Sequence, residues 1–222
     1  MYSHKGSTQW MRTSQGEYVD IHGELHSYGE VLTFFKVIET ESDQKRYCNG
    51  KNAGGRWIYQ IYNKEFILAL AEVINNLAES SQMEGDVLEV MSGDGQLTTF
   101  LRPYVRRSII ATDAKTSRDN IAFPKWVEQI DAVDAVARYF PAVVLMCWEE
   151  YYSDISVKIV KKGIPAVWIG DPGSCAVSSG LENIEHHLVK CPYLLGRHDN
   201  VSEGQFRTVM WVFNAARGFG NQ

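Results

Sequence analysis

The chain has no paired cysteine motif, no long apolar run and no block of positive charge, and each shortage removes a class of protein. Its four cysteines, Cys48, Cys147, Cys175 and Cys191, form no C-x-x-C pair, and two fall in apolar runs. They read as reduced structural thiols rather than as a disulfide framework or a metal set. No apolar stretch reaches the ~18 residues that a membrane span needs. Met1 to Gln15 is polar and lacks the apolar core of a secretion signal, so a cytoplasmic protein is expected. Net charge is −5, and Arg106-Arg107 and Lys161-Lys162 are isolated pairs. A surface that tracks nucleic-acid phosphates is therefore not expected.

What is present is enough for a sizeable core. The chain is 45% hydrophobic and 12% aromatic over 222 residues, which suits one α/β domain with an appended cap. The boundary is set at residue 63, with a cap over residues 1–63 and the main domain over 64–222. Met1 to about Ser27 is polar and weakly patterned and reads as irregular. Tyr28 to Thr40 has helical spacing, with Val31, Leu32, Phe34, Phe35, Val37 and Ile38 apolar. Asn49 to Gly55 is too rich in glycine for regular structure. Lys64 to about Ser80 predicts a long helix whose apolar face is Phe66, Leu68, Leu70, Val73, Ile74 and Leu77.

From there strands and helices alternate. Val87 to Val90 reads as a strand, Gln96 to Arg102 as a helix and Ser108 to Thr112 as a strand. Trp126 to Ile130 is a weak strand, followed by a short helix over Asp134 to Tyr139 that Pro141 breaks. Ala142 to Cys147 is a continuous apolar run, as in a strand buried on both faces. A helix over Ser153 to Lys162 stops at Gly163, and Pro165 to Ile169 is the next strand. His187 to Leu194 and Arg207 to Asn214 are then two strand-like runs joined by Gly196 to Gln205, with no helix between them.

The segment Asp86-Val-Leu-Glu-Val-Met-Ser-Gly-Asp-Gly-Gln-Leu97 carries the strongest signal. Its strand breaks into a glycine turn and a helix, and the next strand ends on Asp113. That is the first β-α-β unit of a nucleotide-binding sheet, with a tight turn beneath the ligand. Gly93 and Gly95 permit positive φ and a close backbone approach. Asp113 lies 18 residues past Gly95, about where a ribose-binding carboxylate belongs.

The pattern resembles the class I S-adenosylmethionine (SAM) methyltransferases. Members of that family carry an acid at the end of the first strand, here Glu89, and then G-x-G-x-G. Here that turn reads Met91-Ser92-Gly93-Asp94-Gly95, with Met91 where the family has its first glycine. A carboxylate under the turn would face the pyrophosphate of a dinucleotide but suits the ammonium and sulfonium of SAM. The resemblance covers roughly Lys64 to Asn214. It implies a three-layer Rossmann-like fold: a mostly parallel seven-stranded sheet, closed by a C-terminal antiparallel hairpin, with an N-terminal helical cap added.

It also implies roles. Glu89, Met91, Ser92, Gly93 and Gly95 would form the SAM loop, Asp113 would accept the ribose hydroxyls, and the Asp131-Ala132 pair would meet the adenine. Cys147 and Tyr62 would complete the cofactor pocket. Glu149, Trp148 and Tyr152, at the tip of the fourth main-domain strand, would serve catalysis. Bland readings stand beside these. Glu89 and Glu149 could be helix-end acids, Asp113 a turn acid with Thr116 and Ser117, and Asp131 a helix N-cap. Trp57, Tyr59 and Tyr62, with Arg56, form either a lid or a packing seam. His198, beside Asp199 in the hairpin loop, is a base candidate or a surface histidine. His186-His187 is a further base candidate but weak as a metal site.

The expected activity is methyl transfer from SAM to an O or N atom of a small-molecule acceptor, with no nucleic-acid or membrane partner and with a homodimer admitted. Met91, together with the absent Asn/Asp-Pro-Pro-aromatic motif of the family's base-modifying members, motivates an alternative. That alternative is a non-catalytic interaction or regulatory protein of the same fold. An enzyme of this fold catalysing a non-methylating reaction is a third reading.

Overall fold

A computed structural model describes residues 8–81, 83–116, 123–177, 179–216 and 219. A 3-10 turn at Thr8–Met11 leads to helix α1 (Tyr28–Thr40), whose start is fixed by a capping box. Ser27 Oγ accepts from the Glu30 amide, and the Glu30 carboxylate accepts from the Ser27 amide at 2.8 Å. Helix α2 (Gln44–Cys48) and strand β1 (Gln60–Ile61) complete the cap. Helix α3 (Lys64–Ser80) starts where Asn63 Oδ1 accepts from Phe66 N at 2.8 Å.

The alternating part follows as β2 (Val87–Val90), α4 (Gln96–Leu101), β3 (Ile109–Asp113), β4 (Glu128–Gln129) and α5 (Ala132–Tyr139). It continues with β5 (Val143–Cys147), α6 (Ile155–Val160) and β6 (Ala166–Gly170). The C-terminal part holds β7 (His187–Val189), β8 (Leu195–Gly196) and β9 (Val209–Phe213).

Seven of the strands form one sheet in the order β4-β3-β2-β5-β6-β9-β7. The run from β4 to β6 is parallel, and β9 lies antiparallel between β6 and β7. The order reverses between β2 and β5, so their carboxyl ends diverge there and open a crevice, where ligands of such sheets bind. Helices α3 and α4 cover one face and α5 and α6 the other, each over its own apolar core. This three-layer arrangement is the Rossmann-like fold expected, a mostly parallel seven-stranded sheet closed by an antiparallel hairpin. Strands β2, β5 and β6 are buried along their whole length apart from the Cys147 tip, which explains the unbroken apolar sequence of β5 and β6; in β2 the run is interrupted by Glu89 alone. Trp168 and Trp211 pair across β6 and β9 and stack at 4.9 Å.

The cap has a third core built on Phe34, Phe35 and Tyr47, and Leu195 and Val201 of the hairpin loop belong to it. The link is strand pairing: β1 and β8 form a separate two-stranded sheet, with Gln60 opposite Gly196 and Ile61 opposite Leu195.

Helices α1 and α3 have the bounds their spacing predicts. Several expectations are corrected. The stretch before Ser27 is not loose within residues 8–27, because Met11, Tyr18 and Ile21 are buried in the cap core; residues 1–7 lie outside the described residues. Leu68 is 50% exposed, and Ile67 is buried in its place. Helix α2, five residues long, has no apolar period by which it could be foreseen. Strand β4 is only two residues long, and α5 begins at Ala132 because Asp131 caps it. The predicted strand over His187 to Leu194 ends at Val189, and the chain then crosses to the cap as β8. Among the described residues no helix is long and apolar enough to cross a membrane.

Phe34 is fully buried and packs edge-on against Tyr18, Phe35 and Tyr47. Phe34→Ala is expected to lower stability by about 3–5 kcal/mol, measured as a fall in the urea midpoint.

Candidate active site

The carboxyl end of β2 supplies the floor. Glu89 is buried there and its carboxylate accepts from the Thr98 hydroxyl on α4. Burial pushes its pKa up to about 8, helped by the negative charges of Asp94 and Asp113 and opposed by the Thr98 hydrogen bond. After Val90 the chain turns through three left-handed residues, Met91 at φ 54°, Gly93 at φ 57° and Gly95 at φ 72°. Met91 therefore takes the conformation a glycine would take, at a cost to an L-residue of roughly 1–2 kcal/mol. The turn forms without the first glycine. Gly95 is required twice over, since a Cβ there would also run into Trp126 and Val127. Gly93 instead has open space where its Cβ would be. Ser92 Oγ is buried with no hydrogen-bond partner among the described residues.

The tip of β3 locks onto this turn. Asp113 Oδ2 accepts from Gly93 N at 2.9 Å, and Oδ1 accepts from Lys115 N at 2.6 Å. Asp113 is thus a turn acid and a loop anchor together; Ser117 lies outside the described residues. Asp131 is the N-cap of α5, accepting from Val133 N at 2.9 Å. Both still line the cavity, as does Ala132.

At the tip of β5, Cys147 is followed by Trp148 at φ 62°. The Trp148 Nε1 donates to Gln60 Oε1 at 2.9 Å, and its ring meets Tyr59 and His198 at 6.1 and 5.3 Å. Burial raises the Cys147 thiol well above its ordinary pKa, so it stays protonated. Glu149 Oε1 accepts from Ser153 Oγ at 2.6 Å and Ser156 N at 3.0 Å, which ties it to the start of α6 as the helix-end reading expected. Its Oε2 is buried with no partner among the described residues. Tyr152 stands at the mouth, 85% exposed, against Tyr151.

The cap forms the roof, so the aromatic segment is both lid and seam. Trp57, Tyr59 and Tyr62 line the cavity. Arg56 donates to Asp20 at 3.0 Å and also pairs with Asp94 in the turn, joining cap to floor. Tyr62 N donates to His22 Nε2 at 3.2 Å. Burial lowers the His22 pKa to about 3, so that imidazole is neutral.

One pair escaped the sequence. His198 Nδ1 lies 3.0 Å from Oδ2 of Asp171, at the end of β6. Asp199, its sequence neighbour, serves the loop instead, accepting from Gly196 N, Arg207 N and Thr208 N. The signal available was the acidic strand end Gly170-Asp171-Pro172-Gly173. His186 faces away from the cavity, onto Trp211 and Phe213. Among the described residues no group of His, Cys, Asp and Glu could hold a metal ion.

Together these residues enclose about 1280 Å³, above the ~300–1,000 Å³ typical of one-ligand pockets. The lining has Glu89, Asp94, Asp113, Asp131, Glu149 and Glu150 against Arg56 and Arg197. With Arg56 held by two acids, the field in the cavity favours a cation.

No protein-family model and no curated protein matches the sequence. Solved structures of similar fold include an rRNA methylase from Streptococcus thermophilus, at 12% identity and TM-score 0.41, covering 71% of this chain and 99% of that one. A protein from Corynebacterium glutamicum matches at 11% identity and TM-score 0.40, over 86% of this chain and 92% of that one. A putative SAM-dependent methyltransferase from Streptococcus mutans matches at 10% identity and TM-score 0.33; 64% of this chain is covered, and it spans 47% of that one. The strand order itself fixes the fold.

Glu89 in the folded chain holds a proton up to about pH 8, against 4.5 when exposed. Its contribution to stability is full below about pH 4.5 and is lost as pH rises toward 8. Glu89→Gln lacks that dependence. Across that window the melting temperature of the parent should fall relative to the variant's, and curves that stay parallel would show that Glu89 is not so perturbed.

Proposed function

We propose that this chain is a SAM-dependent methyltransferase that acts on an O or N atom of a small molecule. The observation that carries the reading is the acid-dominated cavity built over a left-handed turn at the switch point of the sheet. A phosphate-bearing dinucleotide would meet Glu89 and Asp94 with no unpaired arginine beside them, whereas SAM carries positive charge to the same place. The residues fit that group: Gly93 leaves open space where a side chain would stand, and Ser92 Oγ, with no hydrogen-bond partner among the described residues, lies in the same turn. The volume leaves room for an acceptor beside it.

When bound, SAM supplies a methyl group on a positively charged sulfur. The residues of the chain do the rest. Gly93 and Ser92 would offer backbone and hydroxyl contacts, and Asp113, already aimed by two amides, would accept from hydroxyls. Glu89 would meet the cationic end, and in doing so would give up the proton that burial makes it keep. Asp131 and Ala132 would border the flat ring system. Cap residues Tyr59, Gln60 and Tyr62 close the roof and exclude water, which strengthens every charge interaction beneath them. A reacting atom held near 3 Å from the methyl carbon gains most of its rate from that positioning. The acidic lining and the closed roof both favour a small acceptor over a polyanion.

Calorimetric titration with SAM and with S-adenosylhomocysteine tests the reading directly. Micromolar binding of SAM is expected. Asp113→Ala should weaken it tenfold or more, about 1.4 kcal/mol, through lost charge-assisted hydrogen bonds. No heat at millimolar SAM would remove the transferase reading.

A further inference from the structure

The Asp171–His198 pair has the geometry of a proton acceptor. Asp171 is buried and held by Gly173 N and Ser174 Oγ, each at 2.9 Å. Its side chain is 5% exposed, whereas that of His198 is 37% exposed and lines the cavity. A buried carboxylate behind Nδ1 keeps that nitrogen's proton and turns Nε2, with its lone pair, into the basic atom. The ring is also braced edge-on by Trp148 at 5.3 Å. A base oriented by a second group in this way is the arrangement that general-base catalysis requires. The other charged groups that share the cavity wall near it are Glu149, Glu150 and Arg197.

We propose that His198, positioned by Asp171, takes the proton of a phenolic hydroxyl as that oxygen is methylated. This rests on the SAM transferase reading above. The chemistry selects the acceptor class. A neutral amine has its lone pair ready and needs no base before attack. An aliphatic alcohol is a far weaker acid and asks more of an imidazole, whereas a phenol ionises near pH 10, as tyrosine does, and is the hydroxyl whose proton a positioned histidine removes most readily. The neighbouring walls, Trp148 and Tyr59, are aromatic and suit a flat ring. In the step the phenol O–H bond breaks and its proton passes to His198 Nε2. The oxygen's electron pair forms the new O–CH3 bond, and the S–CH3 bond breaks with its pair left on sulfur as a neutral thioether. The imidazolium then returns its proton to solvent.

The test incubates the full chain with methyl-labelled SAM and phenol, catechol or 4-nitrophenol, with aniline and cyclohexanol as comparisons. O-methylation of at least one phenol, and none of cyclohexanol, is expected. His198→Ala should then lower kcat about 10²–10⁴-fold, keep the SAM Kd within about twofold, and abolish the acidic limb of the kcat–pH profile. Should the alanine variant lose SAM binding, His198→Gln, which can still donate to Asp171, takes its place. Asp171→Asn should lower kcat at least tenfold with little change in KM, the split expected of a positioning residue. Intact SAM binding with no phenol methylated, or with aniline alone methylated, overturns the inference and leaves the transferase reading standing. A His198→Ala enzyme within threefold of the parent does the same. Failure of the parent to bind SAM overturns both.

Discussion

Gln60 is buried and joins three parts of the chain at once. Its backbone pairs with Gly196, its Nε2 donates to Leu195 O at 2.6 Å, and its Oε1 accepts from the Trp148 indole at 2.9 Å. Cap, hairpin loop and strand tip therefore have one relative position, and each cavity wall follows from it. Leaving a buried amide unpaired costs about 1–3 kcal/mol, so none of the three can shift alone without that penalty. Around it, Gln44 Nε2 donates to Arg197 O and Asp199 O, and Glu39 accepts from Val201 N and Ser202 N. This seam holds His198 where Asp171 can reach it, because the loop carrying the imidazole is the one that pairs with the cap.

Beneath that roof the floor is a balance of like charges. Three carboxylates, of Glu89, Asp94 and Asp113, crowd one turn. The chain manages them by different means: burial keeps Glu89 protonated, Arg56 neutralises Asp94, and two backbone amides hold Asp113. These devices mute the charge of Glu89 and Asp94, and a cationic ligand that displaces the Glu89 proton would restore a negative centre there. The left-handed run of Met91, Gly93 and Gly95 brings the backbone of the turn close to all three. Strain at Met91 is held there by strands packed on both sides, as expected of a site that has to be ready before its ligand arrives.

Much of this was legible in the residues themselves. The continuous apolar run at Ala142–Cys147 announced a strand buried on both faces, and the apolar residues around Glu89 marked Val87–Val90 as a second strand. The α1 and α3 bounds could be read from apolar period, because each helix buries one face along its length. The turn, Asp113 and the strand-end Glu89 were visible because backbone conformation and charge at fixed spacing leave a signature. What escaped had no local cause. Asp171 and His198 are 27 residues apart and meet only because β6 and the hairpin loop end at the same edge of the crevice. Asp199 is the acid next to His198 in sequence, but its carboxylate turns inward to satisfy three loop amides. Glu149 shows the converse: an acid in the expected place whose Oε1 is taken up by the start of α6. The Ile67 and Leu68 exchange is smaller, a matter of which side of α3 the sheet lies on.

The β1–β8 pairing has a consequence for the order of assembly. The hydrogen bond from Gln60 to Leu195 closes a loop of 135 residues, so the roof is among the most non-local contacts in the molecule. Such contacts lose the most chain entropy before they return any energy, and they form late. Residues of the cap leave the ribosome well before Leu195 and Val201, which complete their core. Until those two arrive, Phe34, Phe35 and Tyr47 have an unfinished surface. A cap made early must therefore wait, with apolar side chains uncovered, for the segment that also delivers the histidine of the cavity. Folding and site completion become one event, and a nascent chain has no enclosed cavity before it.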